Sequence, residues 1–215
     1  MCTASGQRTA WPREAGSRLA RIGVLALQGG VEEHVAMLRS LGADVVEVRL
    51  PGHLDGISAL ILPGGESTTL TSLLGRWDLL PALRRLVEAG MPMWGTCAGA
   101  IVLSAEVIER DHGISQAGLG AARVRAVRNA FGRQVHSFQQ GLLVRGLDSA
   151  FPGVFIRAPL LHPLSEEVQV LSSVEEGPVL VRDRAIWLSS FHPELTSDYR
   201  IHELFLRDAG IAFDG

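Results

Sequence analysis

The stretch Met93-Trp94-Gly95-Thr96-Cys97-Ala98-Gly99-Ala100-Ile101-Val102-Leu103 joins two apolar runs with no loop between them. Met91 to Trp94 has the texture of a buried strand, and Ala100 to Leu103 that of a buried helix. Between them, Gly-Thr-Cys-Ala-Gly follows the nucleophile-elbow pattern, with Cys97 where a serine stands in G-x-S-x-G. Gly95 and Gly99 carry no Cβ, so the strand and helix backbones can approach closely. Cys97 is then expected at an exposed elbow, at the carboxyl end of a strand and the N-terminus of a helix. Backbone N–H groups and the positive end of the helix dipole favour a thiolate there and an oxyanion beside it. The same five residues equally suit a buried cysteine in a helix–sheet contact, since free cysteine is among the most buried residue types.

Working outward, Ile22 to Leu27 is a continuous apolar run, as expected of a parallel strand covered on both faces. It ends at Gln28-Gly29-Gly30. Val31, Val35 and Leu38 then predict a helix that Gly42 closes. Val45 to Val48 and Ile57 to Leu62 read as strands, the second ending in Pro63-Gly64-Gly65-Glu66-Ser67-Thr68-Thr69. Leu70, Leu73 and Leu74 suggest a short helix started by a Ser/Thr cap. Leu79, Leu83, Leu86 and Val87 line the next helix, closed by Gly90. This β–α alternation implies an α/β, flavodoxin-like three-layer sandwich, with a mostly parallel sheet and helices on both faces. Beyond Leu103 the segment Gly113 to Phe138 turns rich in Gly, Arg and Val, with a strand-like run at Ala122 to Val127. Val168 to Val174, Pro178 to Val181 and Ile186 to Ser190 read as strands, the last ending in Phe191-His192-Pro193-Glu194. Tyr199, His202, Phe205 and Leu206 suggest a terminal helix. Gln28-Gly-Gly-Val lacks the G-x-G-x-x-G spacing, and Pro63-Gly-Gly-Glu-Ser does not match a P-loop. Ligands of open α/β sheets bind at the carboxyl ends of strands, so one rim shared by these four strand ends is the economical placement.

The 215 residues suit one domain, with 47% apolar residues to fill its core. A formal net charge of −3 without a basic block argues against nucleic acid as the main partner, and no apolar run reaches membrane-spanning length. The two cysteines, Cys2 and Cys97, imply no structural disulfide and fit a reducing, cytoplasmic setting. Residues 1–18 read as a disordered N-terminal extension and 19–215 as a single domain.

These motifs resemble those of class I, or triad, glutamine amidotransferases. Within that class the chain is similar to the glutaminase subunits of pyridoxal 5′-phosphate synthase, from about Ile22 to Leu206. Gly95-Thr-Cys-Ala-Gly99 and Phe191-His-Pro-Glu194 carry the broad resemblance. The narrower one rests on Gly23-Val-Leu-Ala-Leu-Gln-Gly-Gly30 with His34, Leu62-Pro-Gly-Gly-Glu-Ser-Thr-Thr69, Arg128-Asn-Ala-Phe-Gly-Arg-Gln134 and Phe155-Ile-Arg-Ala-Pro159. His136-Ser-Phe-Gln139 departs from the Asp-Ser-Phe-Glu frequent in that family, and Ala100 stands where Leu is more usual.

The resemblance implies Cys97 as nucleophile, His192 as its base and Glu194 as the residue that orients the base. It implies oxyanion donors on Ala98 and on a glycine of Gly64-Gly65. It also implies recognition of L-glutamine by Gly65, Glu66, Ser67, Arg128, Ile156 and Arg157. An arginine fork suits the α-carboxylate, and a carboxylate such as Glu66 suits the α-ammonium. The resemblance further implies that Gln28, Gly29 and Gly30 form a loop near the surface that meets the synthase, a (β/α)₈ barrel making pyridoxal 5′-phosphate. Gln28 itself either works near the thioester or caps the first strand's loop. Amide hydrolysis requires no cofactor, and the histidines show no metal-ligand spacing. His53, His112, His136, His162 and His202 read as surface or packing residues, with His34 the exception to watch. Two alternatives remain in view: another cysteine γ-glutamyl hydrolase or peptidase of this fold, and a non-catalytic regulatory subunit.

Overall fold

A computed structural model describes residues 20–109, 113–128 and 137–213. The expected extension over residues 1–18, Cys2, His112, the 129–134 part of the arginine-rich motif and His136 lie outside the described residues.

The four innermost parallel strands are built from unbroken apolar runs because the sheet is covered on both sides. β1 (Arg21–Leu25), β3 (Ala59–Leu62), β4 (Met93–Thr96) and β13 (Ile186–Ser189) are buried almost throughout. With β2 (Asp44–Val48), β11 (Gln169–Val174) and β12 (Gly177–Asp183) they form a seven-stranded sheet in the order β11-β12-β13-β4-β3-β1-β2. The pairs from β2 to β13 are parallel, and β12 and β11 continue antiparallel. The order β2-β1-β3-β4 followed by β13 is the doubly wound, flavodoxin-like arrangement.

Helices α1 (Val31–Ser40) and α5 (Arg200–Asp208) cover one face, packing Val35, Leu38, Ile201, Phe205 and Leu206 beside Trp94. α2 (Ser67–Arg76), α3 (Leu79–Glu88) and α4 (Ala98–Leu103) cover the other. The expected helices lie on both faces, and the strands after α4 add to them. A four-stranded sheet, β10-β7-β5-β6, joins the α2–α4 side; its strands are β5 (Ser104–Glu109), β6 (Gly113–Ala117), β7 (Ala122–Arg128) and β10 (Leu160–Pro163). β7 reads Ala-Arg-Val-Arg-Ala-Val-Arg, a period of two that buries Ala122, Val124 and Ala126 in the same core as α2 and α3. A hairpin of β8 (Ser137–Leu142) and β9 (Phe151–Ile156) joins the α1–α5 side through Leu142, Phe151 and Phe155. Phe138 stacks on Phe155 with ring centroids 4.5 Å apart.

Two local expectations change. α2 is capped by Glu66, not by Ser or Thr: its carboxylate accepts from the Thr68 and Thr69 amides at 3.0 and 2.6 Å. A carboxylate there satisfies two free amides and adds charge complementarity to the helix N-terminus. Tyr199 precedes α5 and is exposed, while Ile201 takes the buried place. Among the described residues no helix is long and apolar enough to cross a membrane.

Candidate active site

The order β13-β4-β3-β1 sets four carboxyl strand ends side by side, and each carries one of the motifs singled out by sequence. Gln28-Gly29-Gly30 follows β1, Pro63-Gly64-Gly65-Glu66 follows β3, Cys97 follows β4, and His192-Pro193-Glu194 lies just beyond β13.

Cys97 occupies a single position between β4 and α4 with φ 47° and ψ −101°. This is a region that L side chains rarely adopt, at a typical cost of about 1–3 kcal/mol. Its amide donates to the Ser189 carbonyl at 2.8 Å and its carbonyl accepts from Ile101 at 3.1 Å, which hold the turn. Gly99 lies so near the Leu62 carbonyl that a Cβ would overlap it, and a Cβ on Gly95 would come within 2.5 Å of the Gly99 carbonyl. The close approach expected of these glycines is therefore present. The expected exposure is not: Cys97 is only 6% exposed. Its Sγ lies 3.8 Å from the Ile156 carbonyl at the end of β9, and a Cβ on Gly64 would sit 3.3 Å from the Cys97 Cβ. The neighbouring loops close over the turn.

His192 Nδ1 lies 2.8 Å from Glu194 Oε1, and the backbone amide of His192 donates to the Val154 carbonyl. Pro193 opens a short 3₁₀ turn, Pro193–Leu195, which brings Glu194 back beside the imidazole two residues earlier. Nδ1 is engaged by Glu194, and the Cys97 side chain is the other polar group acting on this imidazole. Burial alone would lower the imidazole's affinity for a proton. Cys97 and then Glu194 outweigh it and push His192 up to about 10. Burial likewise opposes the Glu194 carboxylate, but the flanking His34 and His192 hold its pKa far below the usual range.

Behind Glu194 stands a group that sequence reasoning did not assemble. His34, fully buried on α1, places Nε2 3.3 Å from Glu194 Oε2 and 3.4 Å from Thr96 Oγ1. Its Nδ1 lies 2.9 Å from Nε2 of His202, which is fully buried on α5 and held well below its ordinary pKa by burial. The available signal was a polar residue within an apolar helical stripe: His34 beside Val35 and Leu38, His202 between Ile201 and Phe205.

The residues implied in glutamine recognition gather on the same rim. Ser67 opens α2 and is buried, whereas Gly65 and Glu66 are exposed. Gln28 grips the Glu66 backbone at two points: its Nε2 donates to the Glu66 carbonyl and its Oε1 accepts from the Glu66 amide, both at 3.1 Å. Gln28 thereby ties the loop after β1 to the loop after β3. Arg128, at the end of β7, donates to Glu109 at 2.9 Å and lies 3.7 Å from Glu66 Oε1. The arginine and carboxylate assigned to opposite ends of glutamine thus neighbour each other, and the Glu66 carboxylate also caps α2. Its pKa falls to about 2, chiefly through the Thr68 and Thr69 hydrogen bonds. Ile156 is half-exposed and presents its carbonyl to Cys97; Arg157 beside it is exposed, with φ 44°. Ala98 is buried as the first residue of α4. Among the described residues no group of three or more His, Cys, Asp or Glu side chains is arranged to hold a metal ion.

A flavodoxin-like sheet with a cysteine turn after β4 and a His-Pro-Glu turn after β13 is the arrangement implied by the resemblance to the glutamine amidotransferases. The family model of the SNO glutamine amidotransferases matches residues 24–210, and the chain belongs to that family. A protein of Dehalococcoides mccartyi named pyridoxal 5′-phosphate synthase subunit PdxT is 49% identical over 191 residues, covering 88% of this chain and 97% of its own. The protein of the same name from Thermus thermophilus is also 49% identical over 191 residues, covering 88% and 98%. A crystal structure described as a glutamine amidotransferase superposes with a TM-score of 0.81 at 48% identity, over 88% of this chain and 99% of that one. A putative GMP synthase protein from Thermoplasma acidophilum shares the fold, with a TM-score of 0.63 at 21% identity over 91% and 96% of the two chains.

Proposed function

We propose that the chain hydrolyses the side-chain amide of L-glutamine to glutamate and ammonia and delivers the ammonia to a synthase that builds pyridoxal 5′-phosphate. The observation that carries this is the ordered series Cys97, His192, Glu194 along one rim, with imidazole and carboxylate hydrogen-bonded at 2.8 Å and Cys97 and the imidazole both lying against Gly64. Family membership and the names of its relatives support the choice of glutamine and of the synthase.

The chemistry follows from the contacts. The His192 imidazole takes the Cys97 proton, and Sγ attacks the amide carbon of glutamine. Negative charge moves to the amide oxygen, which backbone N–H groups of Ala98 and of Gly64-Gly65 stabilise; one such donor is typically worth about 2.7–4 kcal/mol. The imidazolium protonates the departing nitrogen, the C–N bond breaks, and ammonia leaves a γ-glutamyl thioester on Cys97. His192 then takes a proton from water, the resulting hydroxide adds to the thioester carbon, and glutamate departs as Sγ is released. Glu194 holds the ring orientation and offsets its positive charge. Glu66, Arg128 and the Ile156-Arg157 backbone bound the mouth where the amino-acid end of glutamine sits.

In this reading residues 19–215 act as one glutaminase domain in a reducing, cytoplasmic compartment, and the acceptor chemistry lies on a (β/α)₈-barrel partner. That partner docks at the Gln28-Gly29-Gly30 side and selects the competent orientation of the Gly64-Gly65 peptide. Tenfold activation corresponds to roughly 1.4 kcal/mol of differential binding. The test is ammonia release from glutamine by the chain alone and then with the synthase titrated in. Release that depends on Cys97 supports the glutaminase assignment. Isolated turnover equal to that of the complex would remove the gating and leave the triad intact.

A further inference from the structure

We infer that His34 is a positioning residue for the triad carboxylate, donating Nε2–H to Glu194 while His202 fixes the tautomer of its ring. The inference rests on the triad reading above and deepens it.

Glu194 is flanked by two imidazoles: His192 hydrogen-bonds Oε1 at 2.8 Å, and His34 Nε2 lies 3.3 Å from Oε2, a buried oxygen that has no aligned hydrogen-bond partner and so calls for a donor. Both partners are buried, so no bulk water competes for either lone pair. His34 faces Glu194 from the 3₁₀ turn, Thr96 and the edge of Trp94 from β4, and His202 from α5. A bare Nε2 lone pair against a buried carboxylate is repulsive, so Nε2 of His34 carries a proton. The contact between His34 Nδ1 and His202 Nε2 needs one donor and one acceptor. If His34 also donated from Nδ1, neutral His202 would carry its own proton on Nδ1, which has no partner in its buried position. If instead His202 Nε2–H donates, the atom without a partner is an acceptor lone pair, and no buried donor is stranded. Both rings are then neutral Nε2–H tautomers, and the proton chain runs from His202 to His34 to Glu194.

The arrangement ties Glu194 to α1, which starts immediately after the Gln28-Gly29-Gly30 loop. A Cβ on Gly30 would come within 2.9 Å of Glu194 Oε1, so the loop itself rests on the carboxylate. Shifts of α1 are therefore felt at the residue that orients His192. Outer partners of metal-bound side chains typically contribute about 10–100-fold, and about the lower end of that range is expected for this metal-free analogue.

The test compares His34→Leu with His34→Gln in the full chain, because a glutamine amide can present an N–H near the Nε2 position. Three readouts are taken: ammonia release from L-glutamine, the pH profile of Cys97 alkylation by iodoacetamide, and the nitrogen-15 spectrum of the wild-type imidazoles. The expected result is about a tenfold lower kcat in His34→Leu with KM within about twofold, a displaced alkylation midpoint, and recovery of most of both in His34→Gln. A folded His34→Leu with wild-type kcat and alkylation profile overturns the inference. So does a folded His34→Gln no better than His34→Leu. Should His34→Leu fail to fold, the wild-type spectrum still decides: an Nδ1–H tautomer at His34 refutes the proposed proton chain, and an Nε2–H tautomer supports it. Cys97→Ala separates this from the parent reading. Ammonia release that survives Cys97→Ala sinks the triad, whereas lost release there beside an unaffected His34→Leu sinks only the role of His34.

Discussion

The two halves of the catalytic rim are built on different principles. On the β4–β13 half, Cys97, His192 and Glu194 are all buried, and each is held by backbone and side-chain bonds, with His34 and His202 behind them. On the β1–β3 half, Gly29, Gly65 and Glu66 are exposed, and the two loops are tied through the Gln28 side chain and its grip on Glu66. The buried half suits chemistry that needs a fixed proton path and a dry environment. The exposed half suits functions that need movement: admitting glutamine, turning the Gly64-Gly65 peptide, and meeting a partner. Substitutions should therefore act on turnover in the first half and on loop order or local stability in the second.

The largest expected effect comes from Cys97→Ala. Glutamine hydrolysis should fall by several orders of magnitude while circular dichroism stays native, as on other triad scaffolds. Ammonia release near the wild-type rate would overturn the division into two halves at its root. The same variant tests the electrostatics. His192, at about 10, is raised above its unfolded value of 6.5, so its stabilising contribution is fully present below about 6.5 and is lost as pH rises through about 10. Removing Cys97 takes away the first of the raising contacts, so an NMR titration of His192 should show a lower midpoint.

Next come the two remaining members of the triad. His192→Asn removes the base and should cost about 10⁶ in kcat, whereas Glu194→Gln leaves a misoriented base and should cost about 10⁴. Steady-state kinetics on folded protein checks this. Equal or inverted losses would reassign the roles of the two side chains.

Gly64→Ala probes the seam between the halves. Its new Cβ would overlap the His192 ring and crowd Cys97. A displacement of about 1 Å at the reacting groups typically costs about 10²-fold. The loss should appear in kcat, with little change in thermal unfolding, and a variant with unchanged kcat would show that the seam yields without disturbing the imidazole.

The smallest effect belongs to the exposed half. Glu66→Ala removes the α2 cap and should cost about 1 kcal/mol of stability, measured by urea unfolding at neutral pH. Because the folded pKa is depressed from 4.5 to about 2, the carboxylate's contribution is present above about 4.5 and fades as pH falls toward about 2. Wild type and variant should thus converge in stability in strong acid. A constant difference down to pH 2 would mean that Glu66 acts there by packing and not by charge.

The exposed half also shows where local sequence rules compete. Ser67, Thr68 and Thr69 all read as helix caps, yet Glu66 takes the place, because its longer arm reaches two amides at once and brings a full charge to the helix N-terminus. Arg128 was singled out by its motif, but its pairing with Glu109 and its approach to Glu66 depend on β5 and β7 lying parallel. The strands outside the main sheet were legible only in part. Ala122 to Ala126 of β7 alternates, whereas β8 is of mixed polarity and β9 and β10 carry prolines, which hides their period.

The short-range devices of this chain are all written in its sequence. Continuous apolar runs make parallel strands, glycines at 95 and 99 permit the turn at Cys97, and Pro193 folds Glu194 back onto His192 two residues away. Each depends on neighbours a few bonds distant, so its physical requirement is recorded where it acts. Folding in three dimensions was needed to fix which strand ends meet, that Cys97 is covered, and that His34 and His202 stand behind Glu194. Those contacts join α1, β4, α5 and the turn after β13 across most of the chain. They are set by sheet order and by the requirement that buried polar atoms find partners, and neither constraint leaves a mark at fixed spacing along the sequence.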